Sequence, residues 1–206
     1  MNNKEIVTFS HANGKVDVWV PSDWVDVTVL HWPGKTHRYR VWQRICENFI
    51  DAGGICPGPF NFEQVFDPSE QKTWVSVLQL QQDKWAFIPT QREQVQLLTA
   101  PKAMANQFLP RHKAPFTLLA YRWMGQIELC AYRLGVLQYA QRGREVTAVW
   151  SRVIQAMPVL AAAPLYSMEE PLTRLFEAHH SVCHTLPLGR SRLARLFASM
   201  REGGSE

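Results

Sequence analysis

The sequence predicts an α+β protein with a sheet-rich first half and a helical second half. Three observations carry this. Short Val- and Trp-rich runs alternate with turn residues before residue 99. A long apolar stretch begins at Phe116, and beyond it Gly143, Pro158, Pro164 and Pro187 punctuate helix-like segments. The chain is 46% hydrophobic over 206 residues, with eight Trp and ten Phe, enough to fill a sizeable core.

The elements follow in order. Residues 5–10 and 15–20 flank Asn13-Gly14, a pair suited to a tight hairpin turn. Residues 24–30 form a further strand, stopped by Pro33-Gly34. Thr36 is placed to cap a helix over 36–52, with Trp42, Ile45, Cys46 and Phe49 on one face and Gly53-Gly54 ending it. Residues 56–71 hold prolines and phenylalanines and read as an ordered loop. Strands over 73–81 and 84–88 meet at Gln82-Asp83, and a helix over 91–98 follows. Helices are expected over 116–141, 144–157, 169–184 and 191–201. The organisation is therefore a sheet-containing lobe over 1–99, a connecting segment over 100–115 rich in proline and basic residues, and a helical lobe over 116–206, packed together as one unit.

From 24 to 98 the order is strand, helix, strand, strand, helix. The split βαβ sheet of ferredoxin-like and RRM domains begins this way.

Composition narrows the function classes. No apolar run has the length of a membrane helix, and the first residues lack a basic-then-apolar leader, so no membrane partner is expected. Cys46, Cys56, Cys130 and Cys183 are dispersed, which suits reduced thiols in a cytoplasmic setting. Phosphate-loop, dinucleotide-binding, nucleophile-elbow and H-E-x-x-H patterns are missing, and no cofactor is expected. The net charge of +4 permits an acidic partner without requiring one.

The most informative segment runs from Trp32 to Arg44, where aromatic and basic residues alternate. Lys35, Arg38, Arg40 and Arg44 are suited to phosphates, and Trp32 and Tyr39 to stacked bases. On a helix His37, Arg40 and Arg44 share a face, which Glu47 and Asp51 extend, so a solvated face with local ion pairs is the plainer interpretation. Arg190, Arg192 and Arg195 form a second basic group on the outer face of the last helix. Together they suggest a non-catalytic nucleic-acid-binding accessory protein, contacting RNA or DNA and other protein subunits. Two alternatives stand beside it. Low charge content (19%) and abundant Trp fit a protein–protein adaptor with an aromatic interface. His31 or His37 next to these cations could instead serve a metal-independent ribonuclease. His180 and His184 at i, i+4 are the candidate metal pair, short of a closed ligand set. Glu128, between Arg122 and Arg133, is expected to form a buried ion pair that fixes packing.

Overall fold

The computed structural model describes residues 7–10, 16–51, 60–87, 95–99 and 114–186. The architecture is mixed α+β, with strands in three sheets. β1 (Val7–Ser10) pairs antiparallel with β2 (Val16–Val20), and β6 (Val95–Thr99) lies parallel to β2. β3 (Val25–Pro33), β4 (Phe60–Asp67) and β5 (Lys72–Leu80) form an antiparallel sheet in the order β3-β5-β4. Helix α1 (Arg38–Asp51) covers one face of it. Val41 and Ile45, one turn apart on α1, bury against Phe62, Val75 and Val77, with Leu30 and Trp32 at the margin.

The remaining chain builds a five-stranded sheet in the order β11-β10-β7-β8-β9. β7 (Phe116–Trp123), β8 (Gln126–Arg133) and β9 (Val136–Gly143) form an antiparallel meander. Its turns are the pairs Met124-Gly125 and Leu134-Gly135, and all four residues have positive φ (49°, 73°, 47° and 85°). That backbone matches the right-handed twist of a hairpin, and glycine at the second position adopts it without steric cost. Helix α2 (Val146–Ala156) leads to β10 (Leu165–Ser167), parallel to β7. Helix α3 (Glu170–Glu177) leads to β11 (Cys183–Thr185), parallel to β10. Leu118, Ala120, Ile127, Leu129 and Ala131 on one sheet face pack with Val149 and Val153 of α2 and Leu172 and Phe176 of α3. The other face carries Tyr121, Glu128, Cys130 and Tyr132, all buried.

Several expectations are corrected. The helix expected over 116–141 is the β7–β9 meander, so the second half is not a helical lobe. Its strands are buried on both faces and lose the polar–apolar alternation that marks a strand. The loop expected over 56–71 contains β4, residues 82–87 form a short 3-10 helix where a strand was expected, and β6 replaces the helix expected over 91–98. β6 joins β2 instead of β5, so the described residues do not form the four-stranded sheet of a ferredoxin-like or RRM domain. The helix expected over 169–184 ends at Glu177 and gives way to β11. The hairpin turn at Asn13-Gly14, most of the connecting segment over 100–115 and the helix expected over 191–201 lie outside the described residues.

Two arginines join the five-stranded sheet to the elements before it. Arg133, at the end of β8, donates through Nε and Nη2 to Asp67 Oδ2 at 3.3 and 2.8 Å. It also donates to Glu70 in the β4–β5 turn, and its guanidinium lies 4.0 Å from the Trp74 ring centre and 5.0 Å from that of Phe116. Asp67 is 2% exposed. A carboxylate so buried needs compensation. The Ser69 hydroxyl, and then the Arg133 guanidinium, hold the Asp67 pKa at about 2 against an ordinary 3.8.

Arg142, in β9, donates from Nη1 to Asp23 Oδ1 at 3.0 Å, and its Nε lies 3.6 Å from Glu128 Oε1. Glu128 accepts the Tyr121 hydroxyl at 2.6 Å and the Ser22 amide at 3.3 Å. Burial pushes its pKa up, opposed by the Tyr121 hydrogen bond and the Arg142 charge. The packing role expected of Glu128 is present, but its partner is Arg142 on the neighbouring strand. Strand β9 also packs against β3, β4 and β5, which covers the edge of the five-stranded sheet.

This packing has measurable consequences for stability. A Cβ on Gly143 would lie 2.8 Å from Val149 Cγ2, so Gly143→Ala is expected to cost about 1–3 kcal/mol in urea unfolding. Combined with Val149→Ala it should cost less than the two single losses added together. Arg133→Met keeps an apolar stem but strands the Asp67 charge, and is expected to cost about 3–5 kcal/mol at neutral pH, partly recovered in an Arg133→Met/Asp67→Asn double variant. The native pKa of Asp67 lies below its unfolded value, so its contribution is complete above pH 3.8 and is lost as pH falls through about 2. Urea midpoints across that window should slope in the wild type and flatten in Asp67→Asn.

Candidate protein interface on helix α1

Helix α1 is set on its sheet by a fixed connection from β3. Gly34 (φ 72°) donates its amide to Gln71 O at 2.7 Å. The Thr73 hydroxyl accepts the Thr36 amide at 2.9 Å and donates to Gly34 O at 2.7 Å. Gln64 Nε2 donates to Thr36 O at 3.0 Å. Thr36 is therefore tied to the sheet and does not cap the helix as expected. His37 takes that place, with Nδ1 accepting the Tyr39 amide at 3.3 Å and its carbonyl accepting the Val41 amide at 3.1 Å.

With Val41 and Ile45 facing the sheet, the neighbouring positions turn outward. Trp42 is 46% exposed and Tyr39 is 63% exposed. Their rings stack at a centroid distance of 6.4 Å and an interplanar angle of 28°. Trp42 was expected on the core face. It stands about 100° round the helix from Val41, and the buried stripe runs through Val41 and Ile45 instead. The signal that could have located it is the i, i+3 spacing of Tyr39 and Trp42 beside a separate i, i+4 aliphatic pair.

The cations around this pair are held in place by rings. The Arg38 guanidinium lies 4.4 Å from the Phe62 ring centre, and Nη2 is 3.5 Å from Phe62 O. The Arg44 guanidinium lies 5.6 Å from the centre of Trp32. Lys35, His37, Arg38 and Arg40 are exposed. Trp32 is half-buried beneath Arg44 and beside the core, so it is not the open stacking platform expected. Arg190, Arg192 and Arg195 lie outside the described residues.

The histidine candidates are dispersed. His31 in β3 is exposed, with its ring 4.9 Å from that of Trp74, while His37 is engaged at the start of α1. His180 is buried, its Nε2 lies 2.7 Å from Ala163 O, and its ring is 5.1 Å from Trp150. His184 is exposed in β11 against Tyr166. Because α3 ends before either, the helical i, i+4 geometry required of a His180–His184 metal pair is not present. Among the described residues no group of three His, Cys, Asp or Glu side chains is placed to hold a metal ion. Likewise, no helix among them is long and apolar enough to cross a membrane.

No protein-family model matches the chain, and no curated protein matches it by sequence. Similar solved structures do occur. One is a PilM-PilN type IV pilus biogenesis complex, with a TM-score of 0.51 and 12% identity, covering 89% of this chain and 76% of that one. Another, from Bacteroides thetaiotaomicron, is a protein of unknown function with an actin-like ATPase fold, with a TM-score of 0.41 and 8% identity, covering 89% and 72%. At such identities the first likeness is one of fold.

These findings overturn the nucleic-acid reading, for RNA and DNA alike. The fold is shared with a chain of a protein–protein assembly, and Arg38, Arg44 and Trp32, which were to grip phosphates and bases, lean on one another and on the sheet. The ribonuclease alternative at His31 or His37 presupposed the same substrate.

Proposed function

We propose that the chain is a non-catalytic component of a protein–protein assembly in a reducing, cytoplasmic compartment, and that the outer face of α1 docks its partner. The observation that carries this is the stacked, solvent-facing Tyr39–Trp42 pair on a helix that packs on the sheet through Val41 and Ile45. Leaving two large rings in water is unfavourable, and Trp, Tyr and Arg are the residues that dominate the energetics of protein interfaces. The low proportion of charged residues (19%) agrees with a partly covered surface. The shared fold with a chain of the PilM-PilN complex supports the same class of role, since that structure is itself an assembly. Cys183, a partly exposed thiol in no disulfide, agrees with a reducing compartment.

A photo-crosslinking residue at position 42, expressed in the native cell, is expected to yield one discrete protein adduct identifiable by mass spectrometry. The same residue at exposed Arg152 on α2 serves as a control and should not yield it. Trp42→Ala should abolish co-purification of the captured partner while shifting the unfolding free energy by no more than about 1 kcal/mol. Adducts with nucleic acid alone, an identical pattern at both positions, or no adduct would reject the proposal.

A further inference from the structure

The segment from Pro33 to Arg44 holds Lys35, Arg38, Arg40 and Arg44 and no Asp or Glu. Elsewhere the described cations are widely neutralised. Arg122 pairs with Glu169, Arg133 with Asp67 and Glu70, Arg142 with Asp23 and Glu128, and Arg174 with Glu170. Among the described residues no carboxylate forms an ion pair with Lys35, Arg38, Arg40 or Arg44. Glu47, at i+3 from Arg44, extends the face of Arg40 and Arg44 and not that of Tyr39 and Trp42. Of these cations Arg38, one turn before Trp42 at i−4, shares the flank of the exposed Tyr39–Trp42 pair, while Arg40 and Arg44 stand round the helix from Trp42.

Building on the proposed assembly role, we infer that this face binds an acidic protein segment in which an apolar side chain seats against Tyr39 and Trp42 and flanking carboxylates meet Lys35 and Arg38. Charge complementarity selects this occupant. A second copy of the same face would bring like charges together, so self-association through α1 is disfavoured. A neutral apolar partner would cover the rings and leave the cations desolvated without partners. Carboxylates satisfy the planar donor forks of the arginines directly. The Phe62 ring beneath Arg38 limits the freedom of that guanidinium before the partner arrives, which lowers the entropic cost of fixing it.

The test is a selection of displayed random linear peptides against the full chain, with the Trp42→Ala variant used for counter-selection. Enriched peptides are expected to carry net negative charge around at least one large apolar residue. Their affinity, read by fluorescence polarisation, should fall about tenfold or more in Arg38→Glu and in Trp42→Ala, and weaken steadily with added salt. Arg38→Glu should in turn gain affinity for the same peptides with their acidic residues replaced by lysine. Peptides that bind the Trp42 face but are neutral or basic would overturn the acidic-partner inference while leaving the assembly role intact. No enrichment would overturn the inference as well. Competition by RNA or by phosphatidylserine-containing vesicles at the same face, stronger than by any peptide, would overturn both.

Discussion

The arrangement of the molecule depends on one buried cation. Arg133 stands where the end of β8 meets the β4–β5 hairpin, with Asp67 and Glu70 as its counter-charges and the Trp74 and Phe116 rings nearby. Burying a guanidinium is tolerable only where its donors and its charge are answered together, and residues from separate stretches of chain must converge to do so. That requirement makes the junction specific. Sliding the three-stranded sheet against β8 would remove the carboxylates and leave the charge buried. Arg142 adds a second constraint by a different route, reaching Asp23 in the 3-10 turn before β3 and Glu128 within its own sheet. The two arginines thus grip opposite ends of one segment, the turn that enters β3 and the hairpin that leaves β4.

This junction determines what α1 can do. The helix rides on the three-stranded sheet, and Asp67 and Asp23 tie that part of the chain to the five-stranded sheet. Thr73 ties the β3–α1 connection at Gly34 and Thr36, so the start of the helix is as constrained as its buried face. An exposed aromatic pair on a mobile helix would lose ordering entropy whenever it engaged a partner. On a fixed helix most of that cost is already met by folding.

How far the sequence discloses this differs by region. β1, β2, β3, β5, α1 and α2 are legible, because each shows its periodicity between clear stop signals such as Pro33-Gly34. The β7–β9 meander is not. Leu118, Leu119, Ala120 and Tyr121 are consecutive and all buried, so apolar residues run without a period of two and imitate a core helix. Gly125 and Gly135 are the overlooked clue, since they divide the stretch into strand-length pieces. Arg133 and Glu128 appear in the sequence as charges inside an apolar run, but their partners Asp67 and Arg142 depend on pairing that only the fold supplies. β4 was hidden among prolines and phenylalanines, although Phe62 and Phe66 share the parity of one strand face.

The candidate interface was located by the sequence but assigned to the wrong partner, for a physical reason. Aromatic rings interleaved with Arg and Lys suit a stacked nucleobase and a phosphate, and equally an apolar anchor and a carboxylate. Composition cannot separate these, because both ligands pair a flat or apolar surface with negative charge. Side-chain placement does. A base platform needs an accessible ring face, and Trp32 has Arg44 over its own. The rings that remain open, Tyr39 and Trp42, sit side by side on the outer surface of a helix. The limited area of two rings means that neighbouring charges must supply much of the specificity for an acidic partner.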